Sequence, residues 1–384
     1  MLSALGFMMG TGGSAIVAKT LGEGDKKRAN RYFSMMIYLT VILGVILSAA
    51  GILFTRPMAS FLGATPEMME DCVVYGRVVF LFIAAFMLQN VFQSFLIAAE
   101  RPKLGLAATI GAGVTNMVLD ALFVGAFRWG VAGAALATGM SQCVGGLFPL
   151  LYFLRPNTSP LRLTLTKLEL KPILQACANG SSELMSNIST SIVSMIYNFQ
   201  LLRYVGENGV SAYGVLMYVQ FIFIAIYIGY SIGAAPIVSY HYGAGNHVEL
   251  KNMLKKSMLL TGGASLVLTT AAFLLAAPLS RIFVGYDAEL LALTSHALRL
   301  FSFSFLLAGF NIFASSFFTA LNNGAVSAAI SFLRTLLFQT AAVLILPLVL
   351  DVDGIWWAVT VAEAFAFVLS AGFLFAKRGK YHYM

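Results

Sequence analysis

Residues 104–127 read LGLAATIGAGVTNMVLDALFVGAF. At 1.5 Å per residue such a run makes a helix of about 36 Å, enough to cross the hydrocarbon core of a bilayer. Asp120 is its only charge, and Asn116 lies one turn earlier on the same face. A carboxylate at that depth costs about 2.5–3.5 kcal/mol even on the lenient insertion scale, so it must face other helices or a wet cavity. Two readings follow. Asp120 is a functional ionisable group, or it is an acid steadied by Asn116 that serves only packing.

The rest of the chain repeats the pattern. Of 384 residues, 59% are hydrophobic and only 10% charged, a balance that excludes an ordinary soluble domain. Eleven apolar segments can be drawn, at about 2–21, 32–54, 70–98, 104–127, 130–153, 173–202, 210–240, 252–276, 289–320, 325–350 and 355–376. The reading is an all-α polytopic membrane protein with 11 transmembrane helices.

The net charge of +8 is explained by topology without invoking nucleic acid. Lys19, Lys26, Lys27, Arg28 and Arg31 follow the first segment, and Arg101 and Lys103 the third. Arg155, Arg162, Lys167 and Lys171 follow the fifth. Lys251, Lys255 and Lys256 follow the seventh, and Lys377, Arg378 and Lys380 end the chain. The opposite loops carry only Arg56, Arg128, Arg203 and Arg281. The rich side is cytoplasmic by the positive-inside rule, which puts the C-terminus inside. Cys72, Cys143 and Cys177 are odd in number and far apart, so they form no disulfide framework and no metal set.

The chain is also internally duplicated. A shift of 221 residues brings Gly12, Ile16, Val17, Gly22 and Gly24 onto Gly233, Ile237, Val238, Gly243 and Gly245. The same shift brings Pro57 onto Pro278, and Asn90, Phe92, Ser94 and Ala99 onto Asn311, Phe313, Ser315 and Ala320. Equivalent loops keep the same charge sign, so the halves are parallel repeats about an axis along the membrane normal. The expected organisation is an N-terminal helical bundle over 1–154, a cytoplasmic linker over 155–171 and a C-terminal six-helix bundle over 172–384. The second half has two spans before its Pro236–Gly245 turn, whereas the first half has only 2–21. By the symmetry, one helix of the first bundle is expected to lie upstream, in about 50 further residues; the alternative is an eleven-span protein with an external N-terminus.

Several polar groups stand out. Glu183, Asn187, Ser191, Ser194 and Asn198 keep one face of segment 173–202, which must look at helices or water. Interhelical hydrogen bonding accounts for the Ser and Asn residues. A cavity-lining role accounts better for Glu183, with Tyr197 among the aromatic residues of an adaptable pocket. Arg334 and Glu363 are further buried charges, read either as a mutual pair or as functional groups. Enzyme signatures are wanting: Gly10–Thr11–Gly12–Gly13–Ser14 lacks the lysine of a phosphate-binding loop.

GGSA at 12–15 with LGEG at 21–24, NMVLDALF at 116–123, and SFLR at 331–334 leading to Pro347 together resemble the multidrug and toxic compound extrusion (MATE) family, in its prokaryotic MepA- and DinF-like branch. The likeness implies a cation site in the N-terminal lobe, here Asp120 and Asn116 with Thr138 and Asn90. The family's other acid lies on the first helix. Its repeat counterpart here is Asn198. By that resemblance the chain is a monomeric secondary antiporter of the prokaryotic cell inner membrane. It exports lipophilic, often cationic small molecules in exchange for Na⁺ or H⁺ by alternating access, with membrane lipid around it and no cofactor. A lipid-linked oligosaccharide flippase of the same superfamily, a channel or another integral membrane protein are the alternatives. A flippase is expected to show more deep cations than Arg334 alone, and no filter motif favours a channel.

Overall fold

The structure, a computed structural model, describes residues 2–61 and 64–384, with the side chains of Leu2 and Ser3 outside the description. The described residues form fifteen α-helices and two π-helical turns, with no strand among them. They fall into two compact units, Met1–Gly180 and Ser181–Met384.

The first unit contains α1 (Leu2–Gly22), α2 (Lys26–Phe61), α3 (Met69–Leu81), α4 (Ile83–Ala98), α5 (Pro102–Asp120), a π turn (Ala121–Ala126) and α6 (Gly130–Leu154). It also contains the start of α7 (Leu170–Tyr204). Small residues let its helices meet at backbone distance, the packing that substitutes for a hydrophobic drive in lipid. Gly6 and Gly10 of α1 lie against α4, where an added Cβ would fall 3.0 Å from Met87 Cα and 3.1 Å from Val91 Cα. Gly12 lies against α7, where a Cβ would fall 2.1 Å from the Ala176 carbonyl oxygen. Phe33, Phe92, Phe95 and Phe153 fill the core, with Phe33 4.8 Å from Phe153 and 5.1 Å from Phe95 between ring centroids.

The second unit continues with α8 (Glu207–Gly243), α9 (His247–Leu274), α10 (Ala276–Val284), α11 (Ala288–Ser302) and α12 (Phe305–Ala320). It closes with α13 (Gly324–Phe332), a second π turn (Leu333–Phe338), α14 (Gln339–Ile345) and α15 (Pro347–Tyr381). Side chains cap the helix starts after loops: Asp287 Oδ1 accepts from the Glu289 and Leu290 amides, and Asn246 Oδ1 from Glu249. Trp356, Phe301, Phe305, Tyr197 and Leu216 lie in its apolar core. At the C-terminal end Tyr383 is buried and donates to the Leu374 carbonyl at 3.0 Å. Burial, with the Tyr381 phenol beside it, holds the Tyr383 phenol above its ordinary range.

Seven helical stretches are long and apolar enough to cross a membrane, and two bent pairs bring the total to nine among the described residues. Segment 70–98 is α3 and α4 bent by 50°, and segment 289–320 is α11 and α12 bent by 49°. The breaks fall at Phe82 and at Phe303–Ser304, one repeat apart, so the duplication extends to the local geometry. Phe82 seats its ring on Gly139, where a Cβ would fall 2.0 Å from Phe82 Cδ2. Segment 355–376 lies within α15, which is kinked at Asp351 (φ 47°). The other two of the eleven segments form α1 and α7, of 21 and 35 residues. Neither is among the nine apolar spans. Glycine and hydroxyl residues in α1 and the polar stripe in α7 lower their apolar content.

Between α6 and α7, residues 155–169 run without helix. Asn30 Oδ1 accepts from the Arg162 amide at 2.9 Å, and Ser34 Oγ from the Thr164 amide at 2.8 Å. Ser159 donates to the Ala99 carbonyl at 3.1 Å. This stretch is therefore a strap hydrogen-bonded to the first unit, its backbone groups satisfied by side chains instead of a ladder.

Candidate functional site

In the first unit, α5 packs on α6, and α4 packs on both. Three packed helices thus carry the four residues Asn90, Asn116, Asp120 and Thr138. Asn90 is 3% exposed, and its Nδ2 finds no acceptor among the described residues. It sits where α4 crosses the glycines of α1: a Cβ on Gly6 would lie 3.4 Å from Asn90 Cβ. Asn116, Asp120 and Thr138 are half-buried.

Asp120 ends α5, and the backbone changes register at the next residue into the π turn Ala121–Ala126. Such turns inside membrane-depth helices free backbone groups and re-aim neighbouring side chains. Phe123 within the turn stacks on Phe127 at 6.2 Å and on Trp129 at 5.0 Å at the hairpin into α6. No ion pair or hydrogen bond to the Asp120 carboxylate forms among the described residues. No hydrogen bond joins the four residues to one another. No cluster of three His, Cys, Asp or Glu exists among the described residues. A cation at Asp120 would therefore draw its other ligands from neutral oxygens.

On α7, the stripe has two kinds of member. Asn187 Nδ2 donates to the Glu183 carbonyl at 2.8 Å and Ser191 Oγ to the Asn187 carbonyl at 3.1 Å, so both bond back along their own helix. Glu183 and Ser194 are half-buried, and Asn198 is exposed. Tyr197 turns away from the exposed positions into the core of the second unit. There it stacks on Tyr213 at 5.0 Å with rings 2° from parallel.

Arg334 and Glu363 form a pair. The Nε of Arg334 donates to Oε1 and Oε2 of Glu363 at 2.9 Å each, and Nη2 donates to Oε1 at 2.7 Å. Asn311 Nδ2 donates to Oε2 at 2.7 Å and to the Glu363 carbonyl at 3.0 Å. Glu363 is 1% exposed. Arg334 is the second residue of the second π turn. Both π turns interrupt the same helix of the repeat at different depths. Sequence reasoning missed the turns, which no residue pattern marks. It also missed Asn311 as a partner, although the 221-residue shift aligns it with Asn90.

Seven to nine apolar spans among the described residues and an internal duplication define a multi-pass membrane protein of repeated helical bundles. The MatE family model matches residues 1–122 and 184–344. The chain belongs to the MatE family. It is 25% identical over 370 residues to the multidrug export protein MepA of Staphylococcus saprophyticus, covering 94% of this chain and 80% of that protein. It is 23% identical over 384 residues to MepA of Staphylococcus haemolyticus, covering 99% and 83%. Among solved structures, an outward-facing multidrug resistance MATE family transporter of the MOP superfamily superposes with a TM-score of 0.93 at 22% identity. It covers 100% of this chain and 86% of that one. A MOP superfamily transporter from Pyrococcus furiosus superposes with a TM-score of 0.90 at 22% identity, covering 98% and 85%.

Proposed function

We propose that the chain is a secondary antiporter that exports lipophilic, mainly cationic small molecules in exchange for Na⁺ or H⁺. The observation that carries this reading is the contrast between interior acids. Glu363 is neutralised by Arg334 and saturated with donors, whereas Asp120 has no cationic or hydrogen-bonding partner among the described residues. An acid at membrane depth without a partner is a place for an exchangeable cation. A Na⁺ shell would use the Asp120 carboxylate with the oxygens of Asn116, Thr138 and Asn90. A proton would bind Asp120 itself. Either ion discharges the site and so lowers its affinity for cationic cargo. Exchange then follows if the site faces one side of the membrane at a time.

In this reading α1 and α7 also cross the bilayer, which makes eleven spans, and the C-terminus is cytoplasmic. The chain works as a monomer in a prokaryotic plasma membrane. Glu183, Asn187, Ser191, Ser194 and Asn198 line the substrate path along α7, with Tyr197 behind them. The family match and the two MepA relatives, both multidrug export proteins, support export over lipid-linked sugar flipping.

The test is Asp120→Asn, which is nearly isosteric but neither titrates nor carries charge. Everted vesicles should lose ion-driven uptake of a fluorescent cation, with insertion and yield unchanged. Wild-type uptake under both Na⁺ and proton gradients would move the coupling role away from Asp120.

A further inference from the structure

The Arg334–Glu363 pair leaves part of the arginine unused. A guanidinium has five N–H donors. Nε and Nη2 are engaged by Glu363, and Nη1 makes no hydrogen bond to any described residue. Nη1 is also not among the buried unpartnered atoms, and the Arg334 side chain is 15% exposed. The two N–H groups on Nη1 of a half-buried, oriented guanidinium therefore reach accessible space. They do so in the middle of the 22-residue apolar span Gly324–Ile345.

One general principle and one observation argue against a purely structural role. Buried ion pairs are weak stabilisers, because desolvation offsets their attraction. In addition, the first half of the repeat holds Gly113 and Gln142 where the second half holds Arg334 and Glu363. The same helices thus assemble in the first unit without the pair. The Glu363 carboxylate is fully used: Oε1 accepts twice from Arg334, and Oε2 accepts once from Arg334 and once from Asn311. Its effect is to fix the guanidinium plane and cancel the positive charge, while the outward-facing N–H groups keep their directional donor strength.

We propose that Arg334 is a cargo-binding residue that takes a hydrogen-bond acceptor, above all a carboxylate or phenolate, of an otherwise lipophilic cation. Glu363 and Asn311 are its positioning residues. The proposal rests on the export reading and narrows it to include zwitterionic cargo. The cancelled charge is what makes the site compatible with both cargo types, since a bare arginine would repel a cation while a neutral clamp does not. A lipid phosphate offers the same acceptor chemistry, and the test separates the two sources.

The probes are butyltriphenylphosphonium and (4-carboxybutyl)triphenylphosphonium, which share the cation and differ by the carboxylate. Binding to the purified chain in detergent is measured by equilibrium dialysis. Wild type should bind the carboxylate probe more tightly. Arg334→Met should weaken that probe by about ten- to a hundred-fold, the range for one charge-assisted hydrogen bond, and leave the butyl probe bound as tightly as in wild type or more tightly, since the Glu363 carboxylate it strands attracts that cation. Where Arg334→Met does not fold, the double variant Arg334→Met with Glu363→Leu replaces both charges by apolar groups and must show the same selective loss. Equal binding of the two probes to wild type, or equal loss of both in the variants, overturns the proposal and leaves the export reading standing. Failure of wild type to bind either phosphonium overturns both. Displacement of the carboxylate probe by added phosphatidylglycerol, with no effect on the butyl probe, assigns Arg334 to lipid and overturns its role toward cargo.

Discussion

Gly180→Ala isolates the contact between α1 and the start of α7. A Cβ on Gly180 would stand 2.0 Å from the Met8 carbonyl oxygen, where ordinary contact begins at 3.4 Å. The opposite helix offers no relief: a Cβ on Gly12 would meet the Ala176 oxygen at 2.1 Å and the Gly180 nitrogen at 2.6 Å. The opposing atoms are backbone, so no rotamer change removes the overlap. The helices must part by about 1.4 Å, forfeiting much of the dispersion contact along the crossing. Overpacking of this kind costs about 1–3 kcal/mol. Alanine returns about 1 kcal/mol of helix propensity at most. The net expectation is a loss of about 1–2 kcal/mol, a fall of roughly 2–8 °C in the midpoint for a unit of this size. The assay is thermal unfolding of the detergent-solubilised protein, followed by fluorescence-detected size exclusion. Gly263→Ala is the control, because a Cβ there meets nothing within 4 Å, and it should be neutral or slightly stabilising. A midpoint for Gly180→Ala at or above wild type would show that the close crossing does not hold the first unit together.

Glu363→Leu alone should destabilise by about 3–5 kcal/mol by stranding Arg334, whereas adding Arg334→Met should restore most of the loss in the same thermal assay; additive losses would refute the pairing argument. Asn30→Ala or Ser34→Ala should speed amide exchange at Arg162 or Thr164 by about fivefold, the equivalent of one hydrogen bond of about 1 kcal/mol. Unchanged protection would mean that the strap is held by other contacts. Single cysteines at 22–31, 155–171 or 241–256 in a thiol-free background should resist an impermeant reagent added outside, while cysteines at 57–66 or 350–354 should react. The reverse pattern would overturn the orientation.

The sequence by itself determined the class of the molecule and its repeat. Apolar runs such as 104–127 must be helices in lipid, because no water is present to satisfy the backbone. The 221-residue offset is legible because the duplicated glycines, prolines and asparagines are held by backbone geometry and small-residue packing. The breaks at Phe82 and Phe303–Ser304 show the same offset in three dimensions. The site was legible only as a set of polar residues at depth: Asp120, Asn116, Glu183, Arg334 and Glu363 stand out because ionic and amide groups are costly there. Which of them find partners is decided by contacts between helices far apart in sequence. Arg334 meets Glu363 across 29 residues and Asn311 meets Glu363 across 52, while Asp120 meets no such partner among the described residues. Tyr197 could be placed on α7 from the sequence, but its burial against Tyr213 depends on how α8 packs. The π turns after Asp120 and at Arg334 are likewise tertiary. They arise where a helix yields one hydrogen bond to keep its packing, and periodicity in a uniformly apolar segment carries no record of that choice.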